Sequence, residues 1–100
     1  MNTNEETLTT AEAGQQRQIV KELVLSAGDK VRTDQIRIAA FKQGVSCADV
    51  YLRMLARDNE IARFWELNEK KKRTNKTKFW SSIKFFEENI KPKLNDKYVL

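Results

Sequence analysis

One hundred residues with a net charge of +5 and 40% hydrophobic side chains fit one modest domain, with apolar residues enough for a single core and too few for two. The chain has no histidine and a single cysteine, Cys47, which excludes histidine–cysteine metal sites and an intramolecular disulfide and leaves no convincing catalytic set. No apolar run approaches the roughly 20 residues that span a bilayer. The start, MNTNEETLTT, has neither the basic nor the apolar stretch of a signal peptide, so the expectation is a cytoplasmic protein that is not an enzyme, with no cofactor and no membrane partner.

The charge is unevenly spread. Residues 1–60 hold eight Lys/Arg and nine Asp/Glu, whereas residues 61–100 hold eleven and five. A basic field confined to the C-terminal part favours a polyanionic partner.

In chain order, residues 1–8 are polar and expected to be disordered. Thr9 and Glu12 form a capping-box pattern. Ile19, Val20, Leu23, Val24 and Ala27 then follow a 3.6-residue period, predicting a first helix over 10–27 that Gly28 closes. Val31 suits a single ladder pairing. Thr33 is expected to cap a second helix, with Asp34 in its first turn and Ile36, Ile38, Ala39, Ala40 and Phe41 as its apolar face, ending at Gly44. Ser46 is expected to cap a third helix. Its predicted core stripe is Cys47, Val50, Tyr51, Met54 and Leu55, and Asp58-Asn59 stops it.

EIARFWEL at 60–67 and TKFWSS at 77–82 are dense in aromatic and β-branched residues and read as two strands. Between them lies EKKKRTNKTK at 69–78, with six basic residues from Lys70 to Lys78 and no acid among them. If the strands pair, that run is the loop of a hairpin. A competing reading continues one helix from 46 to about 73. IKFFEEN at 83–89 predicts a final short helix, Pro92 ends it, and NDKYVL is expected to be loosely held.

The stretch from Ala40 to Val50 resembles a helix-turn-helix. Ala40 takes the small position where two helices cross, Gly44 the turn, and Val50 the apolar contact returning to the second helix. Followed by strand, basic loop and strand, it is similar to winged helix DNA-binding proteins of the small bacterial regulator type. Gln43 and Arg53 depart from that pattern, standing where apolar residues are usual. The fold class so implied is mainly α with a small β-hairpin: a winged helix-turn-helix with a three-helix core and basic wing over 9–82, and a C-terminal helix and tail over 83–100.

The resemblance implies a double-stranded DNA partner, with the helix over 46–57 in the major groove. Ser46, Cys47, Ala48, Tyr51, Leu52 and Arg53 are then the candidates to reach bases, Arg53 through a bidentate contact with guanine. Tyr51 equally suits core packing beside Leu55, and Arg53 a solvated face. Lys42 and Gln43 are candidate phosphate contacts. Lys70, Lys71, Lys72, Arg73, Lys76 and Lys78 would meet the DNA backbone or minor groove.

Phe64, Trp65, Phe79 and Trp80 suit cross-strand pairing, one of each pair inward and one outward, or stacking on single-stranded bases. The first helix or the 83–91 segment is a candidate homodimer surface, the alternative for 83–91 being a cap on the monomer core. The alternative function is a helical protein-interaction module or an antagonist of another regulator, which requires the long 46–73 helix.

Overall fold

A computed structural model describes residues 10–67 and 77–100. The order is α1 (Thr10–Ala27), β1 (Val31–Arg32), α2 (Thr33–Phe41), α3 (Ala48–Arg57), β2 (Ala62–Glu66), β3 (Lys78–Ser81), α4 (Ile83–Phe85) and β4 (Tyr98–Val99). The chain is thus mixed α/β and mostly helical. The expected capping residue Thr9 and the 1–8 segment lie outside the described residues.

The helical turns close where the backbone turns left-handed. Gly44, at φ +86°, ends α2: its N–H donates to Phe41 O, and Val45 N–H reaches back to Ala40 O. Asn59, at φ +60°, ends α3 in the same way, with Asn59 N–H to Ala56 O and Glu60 N–H to Leu55 O. Both are Schellman closures, a geometry that glycine and asparagine adopt at least cost. Because α3 stops at Arg57, the continuous 46–73 helix is excluded, and with it the premise of the interaction-module reading.

Two expected caps are corrected. Cys47, not Ser46, occupies the position before α3, and it makes no side-chain cap bond. Thr33 is the first residue of α2 rather than its cap. Its hydroxyl accepts a hydrogen bond from Trp80 Nε1 over 2.8 Å, while Gln35 Oε1 accepts from the Arg32 N–H.

The expected hairpin is part of a larger sheet. Its order is β1-β3-β2-β4, and each neighbouring pair is antiparallel. Arg63 faces Trp80, Phe64 faces Phe79 and Trp65 faces Lys78 across the β2–β3 ladder. Val31 pairs with Trp80, as the lone ladder position anticipates. Side chains alternate along a strand, so the sheet has two distinct faces.

Trp80 turns toward the helices and joins the main core of Val20, Val24, Ile36, Ala40, Leu52 and Leu55. Phe64 turns the other way, into a second cluster with Ala62, Ile90 and Tyr98, packed by Phe79, Phe85 and Phe86. Its ring stacks on Phe79 at 6.1 Å and meets Tyr98 edge-on at 5.5 Å. The expectation of one inward and one outward aromatic per pair is corrected accordingly: Phe64 and Trp80 are both fully buried, on opposite faces, and Trp65 and Phe79 are half-buried.

That second face is covered by the C-terminal segment. After α4 the chain makes a π-helical turn over Phe86–Ile90 and a 3-10 turn over Lys91–Lys93, so the expected single helix is only one α-turn long. The tail expected to be loose instead forms β4, pairing Glu66 with Tyr98 and Trp65 with Val99. Burial of the Tyr98 ring supplies the driving force. Since Ile90 is buried and Phe85 and Phe86 pack beside it, the 83–91 segment caps the chain's own core rather than standing free as a dimer surface.

Ion pairs tie α1 to the end of α3. Arg17 Nη2 donates to Asp58 at 2.9 Å and to Glu60 at 2.6 Å, and Lys21 Nζ meets Glu60 at 2.9 Å. The hydrogen bond from Lys21, then that from Arg17, holds the Glu60 carboxyl below its ordinary value.

Candidate nucleic-acid interface

Helix α3 keeps most of its predicted core stripe, with Tyr51 and Leu55 buried and Cys47 and Met54 packed against the core, but the buried face extends to the other side of the helix. Ala48, Tyr51, Leu52 and Leu55 are buried, whereas Val50 remains 41% exposed. Val45, drawn inward by the closure at Gly44, sets this rotation by taking the core position next to Ala40. The helix-turn-helix expectation that Val50 returns to the second helix is therefore corrected.

So are three candidate base contacts. Ala48 and Leu52 are wholly buried, and Tyr51 is nearly so, its hydroxyl donating to Gln16 Oε1 over 3.2 Å. Burial, with Cys47 adding to it, pushes the Tyr51 phenol above its ordinary pKa. Cys47 is half-buried. Lys42, Gln43, Ser46 and Arg53 are exposed as a surface role requires.

The rotation presents a different outward set: Asp49, Val50, Arg53 and Arg57 along α3, with Ser46 just before it. These follow the three-to-four-residue spacing of one helix face. Sequence reasoning places Val50 in the core and does not name Asp49 and Arg57 as contacts. The signal available was Val45, which counts as a core residue only once the turn at Gly44 is read as pulling it inward.

Beside this face the sheet contributes further cations. Lys78, at the start of β3, sits with its ammonium 4.9 Å from the Trp80 ring and 5.6 Å from the Trp65 ring. Arg63 stacks over Trp65 at 5.2 Å. The cation–π contacts hold the aliphatic stems against the sheet. Burial first, then repulsion from Arg63 and Arg53, holds the Lys78 ammonium below the ordinary lysine value, while Asp49 pulls the other way. Like charges gathered this way oppose folding, against the attraction of the cation–π contacts.

Arg32, Arg37, Arg53 and Lys78 also line one cleft between the start of α2, α3 and β3. Asp34 and Asp49 lie in it as well, making exposed ion pairs of 3.3 Å with Arg32 and 3.9 Å with Arg53. Such pairs are weak in water and exchange readily. Lys70, Lys71, Lys72, Arg73 and Lys76 lie outside the described residues. The strands that flank them in sequence end at Glu66 and begin at Lys78, and Lys78 itself belongs to this cationic patch.

Among the described residues, no group of three or more metal-ligating side chains and no helix long and apolar enough to cross a membrane is present. Comparison of the chain with known protein families, curated proteins and solved structures finds no match.

Proposed function

We propose that this chain is a winged helix-turn-helix protein that binds double-stranded DNA in a sequence-dependent way and acts as a transcriptional regulator. The observation that carries the reading is the convergence of Arg53 on α3 with Arg63 and Lys78 on the sheet, Lys78 being the last residue of the run EKKKRTNKTK. A helix and a sheet offering cations on one side suit a groove flanked by phosphates. The order helix, strand, helix, helix, strand, strand, with the basic run between the last two in sequence, supports it too.

In this reading α3 enters the major groove through Ser46, Asp49, Val50, Arg53 and Arg57. Arg53 donates to guanine O6 and N7, a contact worth about 1–3 kcal/mol of discrimination. Val50 meets a thymine methyl, and Lys42 and Gln43 meet phosphates. The basic loop and Lys78 neutralise the backbone.

Selection of bound sequences from a random duplex pool, followed by competition with single strands, tests this. An enriched motif containing a guanine whose preference relaxes in Arg53→Ala supports it, and a palindromic motif adds that the protein binds as a dimer. Absence of enrichment together with equal competition by single strands overturns it in favour of base stacking on the Trp65 face.

A further inference from the structure

The cleft between the start of α2, α3 and β3 carries a charge pattern that neither the core nor the helix ends explain. Four cationic side chains line it against two carboxylates. They come from separate elements: Arg32 and Arg37 from β1 and α2, Arg53 from α3, and Lys78 from β3. Packing on the Trp80 and Trp65 rings accounts for Lys78, but not for the arginines it meets there. Lys78 in particular loses hydration there and faces the repulsion of Arg53, an unfavourable arrangement that a bound anion would offset.

A hydroxyl stands among them. Thr33 Oγ1 accepts the Trp80 Nε1–H, a bond that fixes the oxygen's position and leaves the hydroxyl's own proton to donate. Arg37 follows Thr33 by one helical turn, so both belong to the same face of α2. Donors approaching from three elements suit a tetrahedral anion with several acceptor oxygens better than a planar carboxylate, which one guanidinium satisfies by itself. The carboxylates do not close the site: Asp34 is shared between Arg32 Nε and the Gln35 N–H, and Asp49 reaches Arg53 only at 3.9 Å.

We infer that this cleft is a phosphate-binding site, in which Arg37, Arg53, Lys78 and the Thr33 hydroxyl hold one phosphate group. The group comes either from a nucleic-acid backbone or from a free phosphorylated small molecule, and the site's chemistry is the same for both. The cleft shares Arg53 and Lys78 with the proposed DNA face, so a phosphate held there takes Arg53 in place of the guanine contact, and a free phosphate ester needs no duplex.

The Trp80 indole N–H is a built-in reporter, since its acceptor lines the cleft. The chain has two tryptophans, so the Trp65→Phe variant assigns the Trp80 signal in a proton–nitrogen correlation spectrum. Titration with inorganic phosphate should move that signal saturably, whereas sodium chloride at matched ionic strength should not. Arg37→Gln and Arg53→Gln should each weaken the response about tenfold, as expected for loss of a charge-assisted hydrogen bond, and the dispersion of the same spectra verifies folding. An equal shift with chloride, an unsaturating shift, or an unchanged response in both variants overturns the proposal.

Two further arms identify the source. A nucleoside monophosphate that binds more tightly than inorganic phosphate marks a small ligand, and a short duplex that displaces phosphate marks a backbone phosphate. Either result supports the site. The two readings fail separately: duplex binding with a silent Trp80 signal removes the cleft alone, and a saturable phosphate response without duplex binding removes the DNA reading alone.

Discussion

Trp80 Nε1 donates to Thr33 Oγ1 over 2.8 Å, fastening the hairpin to the first turn of α2 across 47 residues of sequence. The same indole is fully buried between the sheet and the three helices. Trp80→Phe removes the donor and opens a small cavity, and should cost about 2–3 kcal/mol in denaturant unfolding. Thr33→Val should cost about 1–2 kcal/mol, because it leaves the buried N–H unpaired. The double variant should show a coupling of about 1 kcal/mol, and strictly additive losses would mean the bond contributes nothing.

Gly44 and Asn59 close α2 and α3 in the same left-handed geometry. A Cβ on Gly44 would touch nothing within 4 Å, so the effect of Gly44→Ala isolates backbone strain. It should destabilise by about 1–2 kcal/mol. Asn59→Gly should be nearly neutral and Asn59→Ala should resemble Gly44→Ala. Thermal melts of the three variants check the ranking.

Much of this architecture was legible because local signals and long-range packing agree. The stripe of Val20 and Val24, the glycine after Ala27, and the aromatic runs around Phe64 and Trp80 each mark an element that forms where expected. Helix α3 shows where local reading stops. Its two stripes share Tyr51 and Leu55, and Val50 with Met54 is as apolar as Ala48 with Leu52. Burial of Ala48 and Leu52 rather than Val50 is decided by Val45 and Trp80, distant in sequence or outside the helix. Strand β4 is only two residues long, and its order comes from Tyr98 packing on Phe64 more than 30 residues earlier. The candidate site follows from this: Arg53 is found from its chemistry, whereas Val50 is legible as a surface residue only once the helix is packed.

Acid should loosen the junction of α1 with α3. Glu60 has a lower pKa folded than unfolded, so the folded chain binds fewer protons there. Its stabilising contribution is present above the unfolded value, about 4.3, and is lost as pH falls through the folded value. Glu60→Gln should therefore melt at a lower temperature than the wild type at pH 7, with the gap closing progressively below about pH 4. A gap that stays constant with pH would show that charge is not its origin.

Lys78 should trade stability against binding. Its ammonium is disfavoured by burial and by Arg63 and Arg53, so its folded pKa is lowered. For a base this means the charged form opposes folding at pH 7, with relief as pH rises through the folded value. Lys78→Met keeps most of the aliphatic stem against Trp80 and removes the charge. It should raise the melting temperature at pH 7 while weakening polyanion binding, two effects read in one thermal melt and one titration. A lower melting temperature would show that the cation–π contacts outweigh the repulsion.

The cationic face of α3 and the sheet, with the basic run between β2 and β3, is proposed to bind duplex DNA. Fluorescence anisotropy with a labelled duplex, repeated over a series of salt concentrations, tests it most directly. Contact with three to six phosphates predicts a log–log slope of roughly −3 to −5. The triple change of Lys71, Lys72 and Arg73 to alanine should flatten that slope by about 3 units at most, and Arg53→Ala should weaken binding to a selected site by about 1–3 kcal/mol. No binding of the wild type even at low salt would contradict the account.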